Sequence, residues 1–237
     1  MSELVIAARG LVLRYGARTV LDGLDLAVAR GRVTGLIGPN GVGKSSLLAA
    51  AGGLIPYQGG SLRVAGQEVS ADVFAARCAA RSVFWPEDAN KALTGAAYLA
   101  FLRAHRQAAW RAGAAATLTD ALGMEEHLAR PVLTYSHGTK AKLGLIAALS
   151  FEAEAYLLDE ALNGLDHRAT RTMTIYLREE AEEGHAVVVA SHVVPMLHRL
   201  CDDVVVLTGR GATVLPGAPA GGAEDLIEDA LSAAYEA

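Results

Sequence analysis

The sequence predicts an α/β fold with an N-terminal antiparallel β subdomain and an inserted α-helical subdomain. Three observations predict it. An apolar pentapeptide, Val33 to Ile37, runs into Gly38-Pro-Asn-Gly-Val-Gly-Lys44-Ser45-Ser46 and then into helix formers from Leu47 to Ala51. That order is the strand, glycine-rich loop and helix of a phosphate-binding P-loop. Two more apolar runs, Ala155 to Leu158 and Ala186 to Ala190, show no polar alternation, as expected of strands covered on both faces. Between them and the P-loop, residues 92 to 123 carry helical spacing and no strand signal.

In chain order, residues 4 to 15 and 19 to 28 read as two strands joined at Gly16-Ala17. Val20, Leu24, Leu26 and Val28 alternate in the second, and Asp22-Gly23 marks a bend or bulge. Tyr15 closes the first strand. As an exposed strand-end aromatic it needs no role; as a platform for a base it would contribute about 1–3 kcal/mol. The second reading is favoured, because a P-loop grips phosphates and says nothing of the base. Within the loop, Gly38, Asn40, Gly41, Gly43, Lys44, Ser45 and Ser46 are the candidate binding residues. Glycines let backbone N–H groups turn inward, and the helix adds its positive N-terminal end. Lys44 is placed to reach the β- and γ-phosphates, and the Ser45 hydroxyl to serve as a Mg²⁺ ligand. The chain has only four lysines, so one at this position is not an accident of composition.

Gly52-Gly53 and Gly59-Gly60 mark loops, Ser61 to Val64 a short strand, and Gly66 to Ser70 a turn and strand edge. Residues 71 to 81 read as a short helix, followed by a strand from Ser82 to Trp85 that Pro86 stops. From Ala92 to Ala116 the text is alanine-rich, with Leu93, Ala97, Ala100, Phe101 and Ala104 at helical spacing, and Leu118 to Gly123 reads as a second helix. Before the helical run Ala141 to Leu149, Ser136 and Thr139 are natural N-cap residues. They serve either as plain caps or, with Gly138 and Lys140, as a second anion site.

Ala155-Tyr-Leu-Leu-Asp159-Glu160 is an apolar strand ending in two acids. At a strand end both side chains can serve one site. Asp159 is placed to hold Mg²⁺ through a water and Glu160 to take a proton from, or orient, an attacking water; two solvated loop acids is the structural alternative. A turn at Asn163-Gly-Leu-Asp166 precedes a helix from Arg168 to Glu183, which Gly184 ends. The strand Ala186 to Ala190 delivers Ser191-His192 at its C-terminal end, where α/β folds place ligand contacts, so His192 is a candidate γ-phosphate contact. The other histidines (105, 127, 137, 167, 185 and 198) show no metal spacing and are assigned nothing. Val204 to Leu207 and Thr213 to Leu215 look like a last strand pair. Residues 216 to 222 form a Pro/Gly-rich linker, and 223 to 237 a short acidic helix that packs on its own domain or on a partner.

At 237 residues this is one large domain or a core with a subdomain. Half of it is hydrophobic, yet no apolar run approaches the length of a membrane span, and Met1-Ser-Glu-Leu-Val has no secretion pattern. The expectation is a cytosolic protein unless a partner holds it at a membrane. Cys78 and Cys201 make neither a metal spacing nor a disulfide framework. A net charge of −5 without a basic run argues against nucleic acid as partner.

The order of these motifs resembles the ATP-binding subunit of an ABC transporter over nearly the whole chain. Walker A is Gly38 to Ser45, Walker B with its catalytic acid is Tyr156 to Glu160, the D-loop is Asn163 to Asp166, and the switch histidine is His192. Tyr135-Ser136-His137-Gly138-Thr139 stands where the family has Leu-Ser-Gly-Gly-Gln. The resemblance implies a P-loop NTPase (RecA-like) core formed by residues 1–85 and 155–215, a helical subdomain at 86–154, and a linker with its terminal helix at 216–237. It implies an ATPase using ATP and Mg²⁺, with Lys44, Glu160 and His192 catalytic. It also implies a head-to-tail homodimer or heterodimer, in which Ser136 and Gly138 touch the γ-phosphate bound by the other subunit and Asp166 acts across the interface. A separate transmembrane permease would hold the pair at the inner face of the cell membrane. At the Q-loop the chain has Trp85-Pro86-Glu87; Glu87 is the best match for the metal contact, with Asn90 the alternative. Tyr-Ser-x-Gly with a Pro-Glu Q-loop is similar to the exporter branch. The competing reading, a soluble ABC-type clamp on nucleic acid or the ribosome, lacks the long coiled-coil insertion and suits an acidic chain poorly. A P-loop kinase or GTPase would leave Asp159-Glu160 and His192 unexplained.

Overall fold

The computed structural model describes residues 3–83, 92–106, 108–208, 211–216 and 223–236. β1 (Leu4–Tyr15) and β2 (Arg18–Ala29) form the expected antiparallel hairpin, with a register shift where Asp22-Gly23 bends the second strand. β4 (Gly59–Val64) and β5 (Gln67–Glu68) complete a four-stranded sheet in the order β2-β1-β4-β5. A second sheet of six strands runs β10-β9-β3-β8-β7-β6. Its members are β3 (Val33–Ile37), β6 (Ala80–Val83), β7 (Ala155–Asp159), β8 (Ala186–Ala190), β9 (Asp203–Thr208) and β10 (Gly211–Pro216). Pairing is parallel from β9 through β6, and β10 folds back antiparallel on β9.

Period-two side chains divide this sheet between two cores. Ile37, Tyr156, Leu158, Val187, Val189, Val204 and Val206 face one apolar cluster with the larger helices. Leu36, Ala155, Leu157, Val188, Ala190, Val205 and Leu207 face the other, which holds the hairpin residues and α1 (Lys44–Ala51). The strands are covered on both sides, which explains their unbroken apolar text.

The remaining helices are α2 (Val73–Ala79), α3 (Gly95–His105), α4 (Ala112–Ala121), α5 (Glu125–Leu128), α6 (His137–Leu149), α7 (His167–Glu182), α8 (Val194–Leu200) and α9 (Ala223–Glu236). Several helices differ from the sequence expectation, α5 among those not anticipated. α1 begins at Lys44, not Leu47, because Gly43 in the left-handed region supplies the turn that starts it. Ala80 and Arg81, expected in a helix, instead open β6 by pairing with Ala155 and Tyr156 of β7. The single helix expected over 92–116 is broken between His105 and Ala112. The break follows from tertiary demand overriding propensity: Trp110 bridges to Phe151, Arg111 N–H donates to the Ser150 carbonyl at 2.8 Å, and the Arg111 guanidinium reaches α7. There its Nη1 donates to both Glu180 oxygens at 2.8 Å and to the Tyr156 hydroxyl at 2.9 Å. Burial, and then the Glu180 charge, push the Tyr156 hydroxyl well above the usual phenol range. α8 was not anticipated; it is short, with Pro195 in its first turn. α9 packs on β9 and α8 with Ile227 fully buried, so the acidic tail helix belongs to this chain's own core.

Candidate functional site

The sheet order sets β3, β8 and β7 side by side and parallel, so the loops that follow them open on one edge. After β3, the chain leaves the sheet at Gly38. A Cβ there would lie 2.5 Å from the Leu207 carbonyl oxygen and φ is +155, so only glycine permits this exit. Lys44, 8% exposed, folds back so that its Nζ donates to the Gly38 and Pro39 carbonyls at 2.7 and 3.1 Å. Burial pushes its ammonium below the usual lysine range, and the Glu160 and Asp159 carboxylates oppose that shift.

A cleft of about 480 Å³ joins Tyr15, Asn40, Gly41, Gly43, Lys44, Ser45, Ser46, Asp159 and Glu160. Tyr15 is half exposed, and the Ser46 hydroxyl lies 3.4 Å from its phenol oxygen. Gly38 does not line the cleft; it shapes the loop from below. Arg18 and Val20 do line it, and sequence reasoning missed both. The signal available was the hairpin register, since Arg18 opens β2 directly opposite Tyr15.

After β7, Asp159 and Glu160 share one cleft because the backbone turns sharply between them. Glu160 has φ +50, a left-handed conformation that costs a non-glycine residue about 1–3 kcal/mol. Its N–H is fixed to the Ala190 carbonyl at 3.0 Å. The Glu160 carboxylate accepts a hydrogen bond from the Asn163 amide and lies 3.2 Å from His192 Nδ1. His192, reached through β8, therefore meets the cleft by way of Glu160. Asn163 is a further residue whose role the sequence did not reveal. The Asp159 Oδ1 atom is buried without a hydrogen-bond partner among the described residues.

Ser136, Gly138 and Asp166 do not line this cleft. They gather elsewhere, at the N-termini of α6 and α7. Ser136 caps α6, accepting from Thr139 N at 3.2 Å and lying 2.8 Å from the Thr139 hydroxyl. Asp166 caps α7 through Ala169 N at 2.8 Å and pairs with Lys142 Nζ at 3.0 Å. The Ala169 N–H first, and then Lys142, hold the Asp166 carboxyl below the usual carboxylate range. A Cβ on Gly138 would lie 2.7 Å from the Gly164 carbonyl oxygen, so the two caps meet backbone to backbone. Trp85, Pro86, Glu87 and Asn90 lie outside the described residues.

The sequence profile described as ABC transporter matches residues 21–163. The hemin import ATP-binding protein HmuV of Streptomyces coelicolor is 34% identical over 242 residues, covering 99% of this chain and 84% of that protein. The daunorubicin resistance ATP-binding protein DrrA3 of Streptomyces coeruleorubidus is 33% identical over 213 residues, covering 89% of this chain and 67% of that protein. A solved structure of an ATP-binding subunit of an ABC transporter shares the fold with a TM-score of 0.86 at 22% identity, over 96% of this chain and 99% of that one. With the P-loop and the Asp159-Glu160 pair in one cleft, the profile over most of the chain and relatives along its length, the chain belongs to the ABC transporter family, as an ATP-binding subunit.

Proposed function

We propose that this chain binds ATP between Tyr15 and Glu160, hydrolyses it, and works in a head-to-tail pair that drives export through a separate transmembrane permease. One observation carries the reading. The P-loop, Lys44 and Glu160 share a cleft, whereas Ser136, Gly138 and Asp166 form a separate group at two helix tips. A group with those residue types, outside its own cleft, suits completion of a neighbour's site. Whether the neighbour is a second copy or a different subunit, the geometry asks for the same surface.

In this reading the Tyr15 ring stacks on the adenine, and the loop N–H groups with Lys44 hold the phosphates. Mg²⁺ fits the residues present: Asp159 offers a buried oxygen with no other partner, Ser45 shares its cleft, and hard oxygen donors suit that ion. Ser45 and Asp159 would hold it, with Glu87 a third candidate, and when bound it supplies charge neutralisation to the β- and γ-phosphate oxygens. Glu160, held by Asn163 and His192, accepts the proton of the attacking water. Residues 1–85 and 155–215 then form the ATPase core, 86–154 the arm that carries Ser136, and 216–237 a linker and brace.

The two named relatives differ in direction, one in import and one in drug resistance. Export is favoured here by Tyr135-Ser136-x-Gly138 together with Pro86-Glu87. No helix among the described residues is long and apolar enough to cross a membrane. A permease would hold this chain at the cytoplasmic face.

Two substitutions test the cleft. Lys44→Ala removes the one lysine aimed at the phosphates and abolishes measurable ATP binding in a fluorescent-nucleotide titration. Tyr15→Ala weakens binding by about 1–3 kcal/mol, roughly five- to 150-fold, with no change in triphosphate-over-diphosphate preference. Wild-type affinity in either variant contradicts the site as described.

A further inference from the structure

A second cavity, of about 280 Å³, lies away from the nucleotide cleft, between the end of α1, α2, β6 and the end of α3. Arg77, Arg81, His105 and Arg106 line it, and no carboxylate among the described residues does. Arg81 is 7% exposed. Its Nη1 donates to the Arg77 carbonyl at 2.8 Å, whereas its Nε and Nη2 are buried with no hydrogen-bond partner within bonding distance among the described residues, the Cys78 thiol on the same wall being the one side chain that favours its charge by a hydrogen bond. The Ser82 hydroxyl, also on the cavity wall, is likewise buried with no partner among the described residues. Arg106, half-buried at the end of α3, lies over the same Phe151 ring as Arg81, at 5.2 and 5.6 Å from its centroid. Burial pushes both guanidiniums below their usual range, and Arg106 adds to the effect on Arg81.

This arrangement is unlike the other arginines that bridge elements of the fold. Arg32 is paired with Asp203, Arg30 with Glu154, and Arg111 with Glu180. A cation removed from water without a counter-charge is costly, and the cost is relieved only by an anion with matching geometry. The free edge of Arg81, Nε with Nη2, is the fork that a carboxylate or phosphate accepts with two oxygens. We propose that this cavity is a binding site for an anionic group, carboxylate or phosphate, held by Arg81 and Arg106. The rim carries Leu54 and Phe74, both exposed. The anion therefore arrives either as a free phosphate or as a carboxylate presented on an apolar body, such as a side chain of a docked segment.

The test is thermal unfolding of the full chain saturated with ADP, so that the P-loop already holds phosphates. Sodium phosphate or sodium hexanoate is exchanged for sodium chloride at constant ionic strength. The wild-type unfolding temperature should rise with anion concentration and saturate, as linkage requires of a bound ligand. Arg81→Met and Arg106→Gln should each weaken the apparent affinity by about tenfold or more, the effect of losing a charge-assisted pair. Tighter binding of phosphate identifies the free ion as ligand; tighter binding of hexanoate identifies a carboxylate on an apolar carrier. A rise that does not saturate, or that is equal in the variants, is a general salt effect and overturns the proposal. If Arg81→Met does not fold, Arg106→Gln decides alone.

Discussion

Glu160→Gln is expected to keep ATP binding, to slow hydrolysis by about 10²–10⁴-fold, and to accumulate as an ATP-loaded dimer. The glutamine carbonyl has the shape to keep accepting from the Asn163 amide, so the loop stays in place. What is lost is the ability to take a proton from water. Removing a negative charge beside the bound triphosphate also relieves repulsion, which favours the closed pair. Phosphate-release kinetics together with light scattering on a sizing column read both effects. Unchanged turnover would take the catalytic role from Glu160. A variant that stays single with ATP bound would remove the support for the head-to-tail pair.

Glu180→Ala is expected to lower stability by about 3–5 kcal/mol, the scale of breaking a buried ion pair from one side. Glu180 lies far from the cleft, with its side chain 3% exposed, and it takes both of its hydrogen bonds to Arg111 from a single nitrogen. Arg111 lies in the break between α3 and α4 and keeps only the more exposed Glu183 and Glu152 carboxylates, at 3.3 and 3.9 Å, so the loss of its buried partner is felt where the chain turns toward Phe151. Urea denaturation with the slope checked for constancy gives the number. A further Arg111→Met change should restore part of the loss, because the guanidinium that has lost its buried partner goes with it. A destabilisation under about 1 kcal/mol would show that the pair is not what fixes this junction.

The parts of the fold that could be read from the text are those decided locally. β1, β2, β3, β7 and β8 fall where alternation or unbroken apolar runs place them, because the face each residue presents is set by its immediate neighbours. The loop from Gly38 to Ser46 was legible for the same reason. The break between α3 and α4 was not, since it is dictated by Phe151 and Glu180, tens of residues downstream, against a stretch of good helix formers. At the site, Asp159, Glu160 and His192 were readable as residues at strand ends. That Glu160 turns back through a left-handed backbone, and that Asn163 holds it, required coordinates. Arg18 entered the cleft through cross-strand register, which one strand read alone does not contain.

The contact between Gly138 and Gly164 has a mechanical consequence. A side-chain carbon on the first would collide with the second's backbone, and one on Gly164 would lie 2.8 Å from His137 Nδ1. There is no slack between the start of α6 and the segment that carries Asn163, so the two mesh like gear teeth. A shift of α6 toward Gly164 would press on the turn that carries Asn163, the residue that donates to the Glu160 carboxylate.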